Sequence, residues 1–140
     1  MKTINGILLS IMCFAASANT LTTPKQTQKL CMTAVSHLST GNVDQSFNTL
    51  KAFWPMPAAE LDNLAYQTRS QLNMVASRFG KPIGIDYIRT QKAGSSFLKH
   101  TYIVKYEKHA LRYLCVFYKP KNNWLVNSVV WDDETSSLFK

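Results

Sequence analysis

Three histidines, a set of tyrosines and two internal cysteines are the residues of this 140-residue chain whose chemistry could matter. His37, His100 and His109 offer imidazoles, but no His-x-x-x-His or Cys-x-x-Cys spacing accompanies them, so no metal site is read. Tyr102, Tyr106 and Tyr113 offer phenols for hydrogen bonding or, beside a carboxylate, for acid–base work. No Gly-x-Ser-x-Gly marks an activated serine. No Gly-x-Gly-x-x-Gly or phosphate loop marks a nucleotide, and no cofactor is expected.

The elements that must position these groups divide into a helical half and a strand half. Thr23 can cap a first helix, with Pro24 at its first position and Gln26 completing a capping box. Leu30, Cys31, Ala34, Val35 and Leu38 then form one apolar stripe, and Gly41 stops it. A second helix starts at Asn42 with Val43, Phe47, Leu50 and Trp54 on one face, and Pro55 ends it. Pro57 opens a third, whose stripe runs Leu61, Ala65, Thr68, Leu72, Val75, Ala76 and Phe79 before Gly80. His37 follows Leu30 by one heptad and borders the first stripe.

After Gly80 the period becomes two. Ile83, Ile85 and Tyr87 alternate with polar neighbours, leaving Asp86 toward solvent, and Lys92–Ser95 reads as a turn. Strands follow over 97–107, 110–119 and 124–132. With Lys108-His109 as a two-residue turn, Tyr106 opposes Leu111, Val104 opposes Tyr113, Tyr102 opposes Cys115 and His100 opposes Phe117. That register gathers the large apolar side chains on one face. For the last strand a one-residue slip decides whether Trp131 and Val129, or Trp124 and Val130, join that face. The expected fold is α+β: three N-terminal helices packed on one face of a curved four-stranded antiparallel meander, a single domain with its core over 24–133.

Three stretches carry a family resemblance: Gly41–Phe47, Arg78-Phe79-Gly80, and Phe117-Tyr118-Lys119 with Asn123-Trp124-Leu125. The chain resembles small exported members of the nuclear transport factor 2-like superfamily, the ketosteroid-isomerase-like or cystatin-like α+β group. The resemblance implies a pocket between the helices and the concave sheet face. His37, His100, Tyr102, Tyr106 and Tyr113 are its candidate ligand-binding residues. No carboxylate can be placed beside them, so no isomerase residue is carried over and no catalytic residue is assigned.

Residues 1–18 read as an export signal. Lys2 supplies a positive start, Ile7–Ala16 is a short apolar run, and Ala16-Ser17-Ala18 is a small-x-small cleavage pattern. A ten-residue run is too short for a permanent span of a ~30 Å hydrocarbon core. Cleavage after Ala18 removes Cys13 and leaves Cys31 and Cys115. In the periplasm or another secreted setting such a pair is expected to bond. The objection is distance, since layers pack about 10 Å apart and a bridge needs Cα atoms within about 7 Å. Two buried thiols are the alternative.

Sixteen Lys+Arg against eight Asp+Glu give +8, but the basic residues are scattered and no recognition motif appears, so nucleic acid is not expected as a partner. The expectation is an exported non-catalytic module for a small apolar ligand or a protein partner, with a homodimer through the sheet face open. A small hydrolase or isomerase with a His/Tyr acid–base is the alternative. Intact-mass analysis of exported protein should show a chain beginning at Asn19; a full-length mass in the soluble periplasmic fraction would contradict the signal reading.

Overall fold

The computed structural model describes residues 20–140; the predicted leader, 1–18, lies outside them. Helix α1 spans Pro24–Leu38, α2 Val43–Lys51 and α3 Ala58–Phe79. The capping box forms as read: Gln26 N–H donates to the Thr23 hydroxyl at 3.2 Å, and the Gln26 amide oxygen accepts from Thr23 N–H at 3.1 Å. Strands β1 (Pro82–Ala93), β2 (Phe97–Tyr106), β3 (Ala110–Tyr118) and β4 (Leu125–Asp132) follow as an antiparallel meander in the order 1-2-3-4. A 3-10 turn at Ser136–Phe139 ends the chain. The domain is α+β, with its helices in the N-terminal half and an open, curved sheet. Helix α1 lies on β1, β2 and β3, α2 lies on α1, and α3 lies on α2.

Three expectations need correction. The β2–β3 register is displaced by two: Lys105 pairs with Ala110, Val104 with Leu111, Tyr102 with Tyr113 and His100 with Cys115. Neither register has a positive-φ residue at its tip, since none of the described non-glycine residues adopts one, so Asn-Gly turn chemistry does not choose between them. The chain turns with Glu107 and Lys108 at the tip, closed by Tyr106 N–H to His109 C=O at 2.8 Å, and the amides of both tip residues are taken up by carbonyls at the end of α3. A shift of two keeps every side chain on its face, and the expected core residues are buried.

The β1–β2 turn is also shorter than read. Lys92 and Ala93 stay paired with Leu98 and Phe97, and the turn begins at Gly94 with φ 58°.

Third, the choice over the last strand is false. A β-bulge between the Val116–Ser128 and Phe117–Val126 pairs puts Asn127 out of step. Trp124 and Val126 before it in the chain, and Val129 and Trp131 after it, therefore all reach the core. Val130 is 45% exposed.

The tip of the β2–β3 hairpin is tied to the end of α3. Glu107 N–H donates to Lys81 C=O at 3.1 Å and Lys108 N–H to Phe79 C=O at 2.9 Å. Gly80 makes this possible: its φ is 86°, and a Cβ there would run into the Glu107 side chain.

Cys31 and Cys115 are disulfide-bonded, with Cα atoms 6.0 Å apart. Small side chains explain the short approach: Cys31, Ala34, Val35 and Cys115 are all fully buried at the α1–β3 contact. Closing a loop with a sequence separation of 84 is worth about 4–5 kcal/mol on a chain-entropy basis. Thiol titration in denaturant, on chain beginning at Asn19, should find no free thiol. The Cys31→Ala/Cys115→Ala double variant should lose stability of about that size; two free thiols in the oxidised protein would contradict the bridge.

Candidate functional site

The cavity with the most suggestive lining, about 290 Å³, lies between α2, α3 and the inner face of β3 and β4. Helical spacing brings Leu64, Gln67, Thr68 and Gln71 of α3 to one wall. Ser46 and Phe47 of α2, with Trp54 just beyond it, form a second wall. Phe47 and Trp54 stack with ring centres 6.4 Å apart. Tyr113 pairs with Trp131 across β3 and β4, and with Val129 these complete the floor. Aromatic and aliphatic surfaces dominate, and the polar groups are neutral amides and hydroxyls.

Tyr113 is the one titratable side chain in this lining. Burial pushes its phenol well above the usual range, and a hydrogen bond with Ser46 only partly offsets that. The phenol therefore stays protonated at neutral pH.

The sequence-predicted candidates do not gather around this space. Of His37, His100, Tyr102, Tyr106 and Tyr113, only Tyr113 lines it. His37 is half-buried near the C-terminal end of α1, where its carbonyl accepts from Asn42 N–H at 2.9 Å. Tyr102 and Tyr106 are buried in the core, and burial raises both phenols. The Tyr102 hydroxyl points to Gln28 C=O at 3.4 Å. His109 stacks on Phe79, with ring centres 4.1 Å apart.

His100 is fully buried within a chain of hydroxyls. The Thr27 hydroxyl donates its one proton to Pro24 C=O at 2.6 Å, so it accepts from His100 Nε2–H at 2.8 Å. That fixes the tautomer and leaves Nδ1 to accept from the Thr90 hydroxyl at 2.7 Å. Thr90 in turn accepts from the Tyr87 hydroxyl at 2.7 Å, and Tyr87 is 47% exposed. Both imidazole nitrogens are satisfied and no carboxylate touches the ring. Burial drives its pKa from 6.5 to about 4. This histidine joins α1 to β1 and β2.

The lining residues that sequence reasoning missed are Phe47, Trp54, Gln67, Gln71 and Trp131 in their functional sense. Phe47 and Trp54 belonged to the α2 stripe, and Thr68 to the α3 stripe, which placed them near the core without showing a hollow. Gln67 and Gln71 flank Thr68 by one position and by three, a signal that reads as ordinary solvated helix. Trp131 depended on the bulge.

Among the described residues, no group of three or more His, Cys, Asp or Glu is placed to hold a metal, and no helix is long and apolar enough to cross a membrane. The chain matches no protein-family model, no curated protein and no solved structure.

The histidine chain has a pH signature. The folded pKa lies below the unfolded value, so the unfolded state takes up the proton first as pH falls. Stability from this group is complete above about 6.5 and declines toward pH 4, by about 3 kcal/mol in all. Unfolding free energies measured across that window should slope downward with acid in the wild type and more shallowly in His100→Gln. Parallel slopes would contradict the assignment.

Proposed function

We propose that the chain is an exported, non-catalytic binding module of the nuclear transport factor 2-like kind, and that the α2–α3–sheet cavity holds a small uncharged apolar ligand. The observation that carries this reading is the lining itself: Phe47, Trp54, Leu64 and Trp131 make the walls, and neutral Gln67, Thr68 and Gln71 supply the polar contacts. About 290 Å³ is near the lower bound for small-molecule pockets, which favours a ligand of one or two rings. The absence of any charged side chain from the lining argues for a neutral ligand, since a buried ion would find no partner there.

Export is supported by the leader pattern of residues 1–18 and by the Cys31–Cys115 bond, which an oxidising compartment sustains. A pocket enzyme with a His/Tyr acid–base would need an ionisable partner for the phenol in this lining. His100 is engaged elsewhere.

Titration with 2-naphthol, followed by quenching of the tryptophans, should saturate at one equivalent. Gln71→Trp places an indole at an exposed position on the rim; it should weaken binding at least about tenfold and leave the unfolding midpoint unchanged. A titration that never saturates, or equal affinity in the variant, would overturn the reading.

A further inference from the structure

The opposite face of the sheet carries a hollow of different chemistry, about 220 Å³ in volume. The pairings Arg89–Thr101–Leu114 and Gln91–Lys99–Val116 run side by side across β1, β2 and β3 on that face. Arg112 of β3 completes the floor, and the C-terminal turn forms a wall. Arg89 holds that wall by donating to Ser137 C=O at 2.8 Å and Leu138 C=O at 3.1 Å. Arg112 donates to the Ser137 hydroxyl at 2.6 Å.

Charge is not balanced here. Arg112 is neutralised by a two-point pair with Asp132 and by Glu134. Arg89 meets only neutral carbonyls, and among the described residues neither it nor Lys99 has an ion-pair partner. Among the described residues no Asp or Glu lines the hollow, and Lys140 lies on its rim. Hydrogen bonding is also incomplete. Among the described residues, three buried side-chain polar atoms lack a partner, and two of them, Arg89 Nε and Thr101 Oγ1, belong to residues lining this one hollow. Thr101 is 1% exposed. Buried donors of this kind are ordinarily satisfied, so a pair left open beside two unneutralised cations marks a place for an acceptor.

We infer that this hollow binds a small tetrahedral oxyanion, inorganic phosphate or the phosphate of a small phosphomonoester, through Arg89, Lys99 and Thr101. Arg89 offers Nε–H from a guanidinium whose other nitrogens are already fixed, Thr101 offers a hydroxyl, and Lys99 offers a mobile ammonium. Arg89 and Thr101 sit opposite each other on paired strands, with their open atoms buried beside the hollow. The site is independent of the neutral cavity on the inner face.

NMR titration of the oxidised protein with inorganic phosphate, at ionic strength held constant with sodium chloride, tests the site. Saturable shifts are expected at Arg89 Nε–H and at the Lys99 and Thr101 amides, with sulfate competing. Glycerol phosphate in a second arm distinguishes a phosphomonoester from the free ion; saturation by either supports the site. Lys99→Gln and Thr101→Val should each weaken binding about tenfold or more. If Thr101→Val alters the unfolding midpoint, Lys99→Gln decides alone. Shifts no larger than chloride produces, or unchanged affinity in Lys99→Gln, would overturn the inference, because binding would then be diffuse surface attraction. Binding of 2-naphthol should be untouched by both substitutions.

Discussion

Everything in this domain is arranged around the place where α1 meets the middle of the sheet. The 6.0 Å separation of the Cys31 and Cys115 Cα atoms is possible because Ala34 and the cysteines themselves bring little volume to that contact. Once α1 is seated there, α2 and α3 are added outward, each on the helix before it. The same seating places Thr27 against His100 and Gln28 against Tyr102, so the N-terminal end of α1 is held by hydrogen bonds and its middle by a covalent bond. The order of attachment leaves α3 farthest from the sheet's centre. The space beneath it is where the cavity opens.

Much of the architecture was legible in the residues. Thr23, Pro24 and Gln26 define a helix start with little room for another reading, and the switch from helical period to alternation after Gly80 separates the two halves. Inward and outward faces of β2 and β3 were equally clear. The register was not, and the reason is geometric. Side chains alternate with a period of two, so sliding one strand by two residues leaves the burial pattern identical. Turn chemistry does not separate the alternatives, because neither Lys108-His109 nor the observed Glu107-Lys108 tip holds a glycine or asparagine; what favours the observed register is the pair of bonds from Glu107 and Lys108 to the end of α3. In β4 the failure was of another kind. Alternation forces a choice between two sets of residues, and a single bulged position removes the choice.

The candidate site was less legible than the fold. Aromatic residues on an inward face look alike whether they fill space or surround it. Tyr102 and Tyr106 fill space; Tyr113 borders a hollow because α3 stands off from the β3–β4 side while α1 closes over the centre. His100 shows how a residue type can mislead. An imidazole in a strand suggests acid–base chemistry, but here the Pro24 carbonyl dictates the proton on Thr27, and Thr27 dictates the tautomer. With both nitrogens fixed and no charge nearby, burial makes the neutral ring its stable form.

The two faces of the sheet then divide the chemistry between them. Inward-facing positions carry neutral groups, and the one buried imidazole there is matched bond for bond. Outward-facing positions of β1 and β2 carry Arg89 and Thr101, whose bonding is incomplete, and Lys99, which has no ion-pair partner among the described residues. Alternation alone ensures that neighbouring residues serve opposite faces: His100 points into the hydroxyl chain while Lys99 and Thr101, on either side of it, turn the other way. The same stretch of β2 therefore serves the buried hydroxyl chain on one face and the outer hollow on the other. The bridge to α1 is made through Cys115, the residue paired with His100. The disulfide thus lies directly across the pair of strands from the residue that separates Lys99 and Thr101.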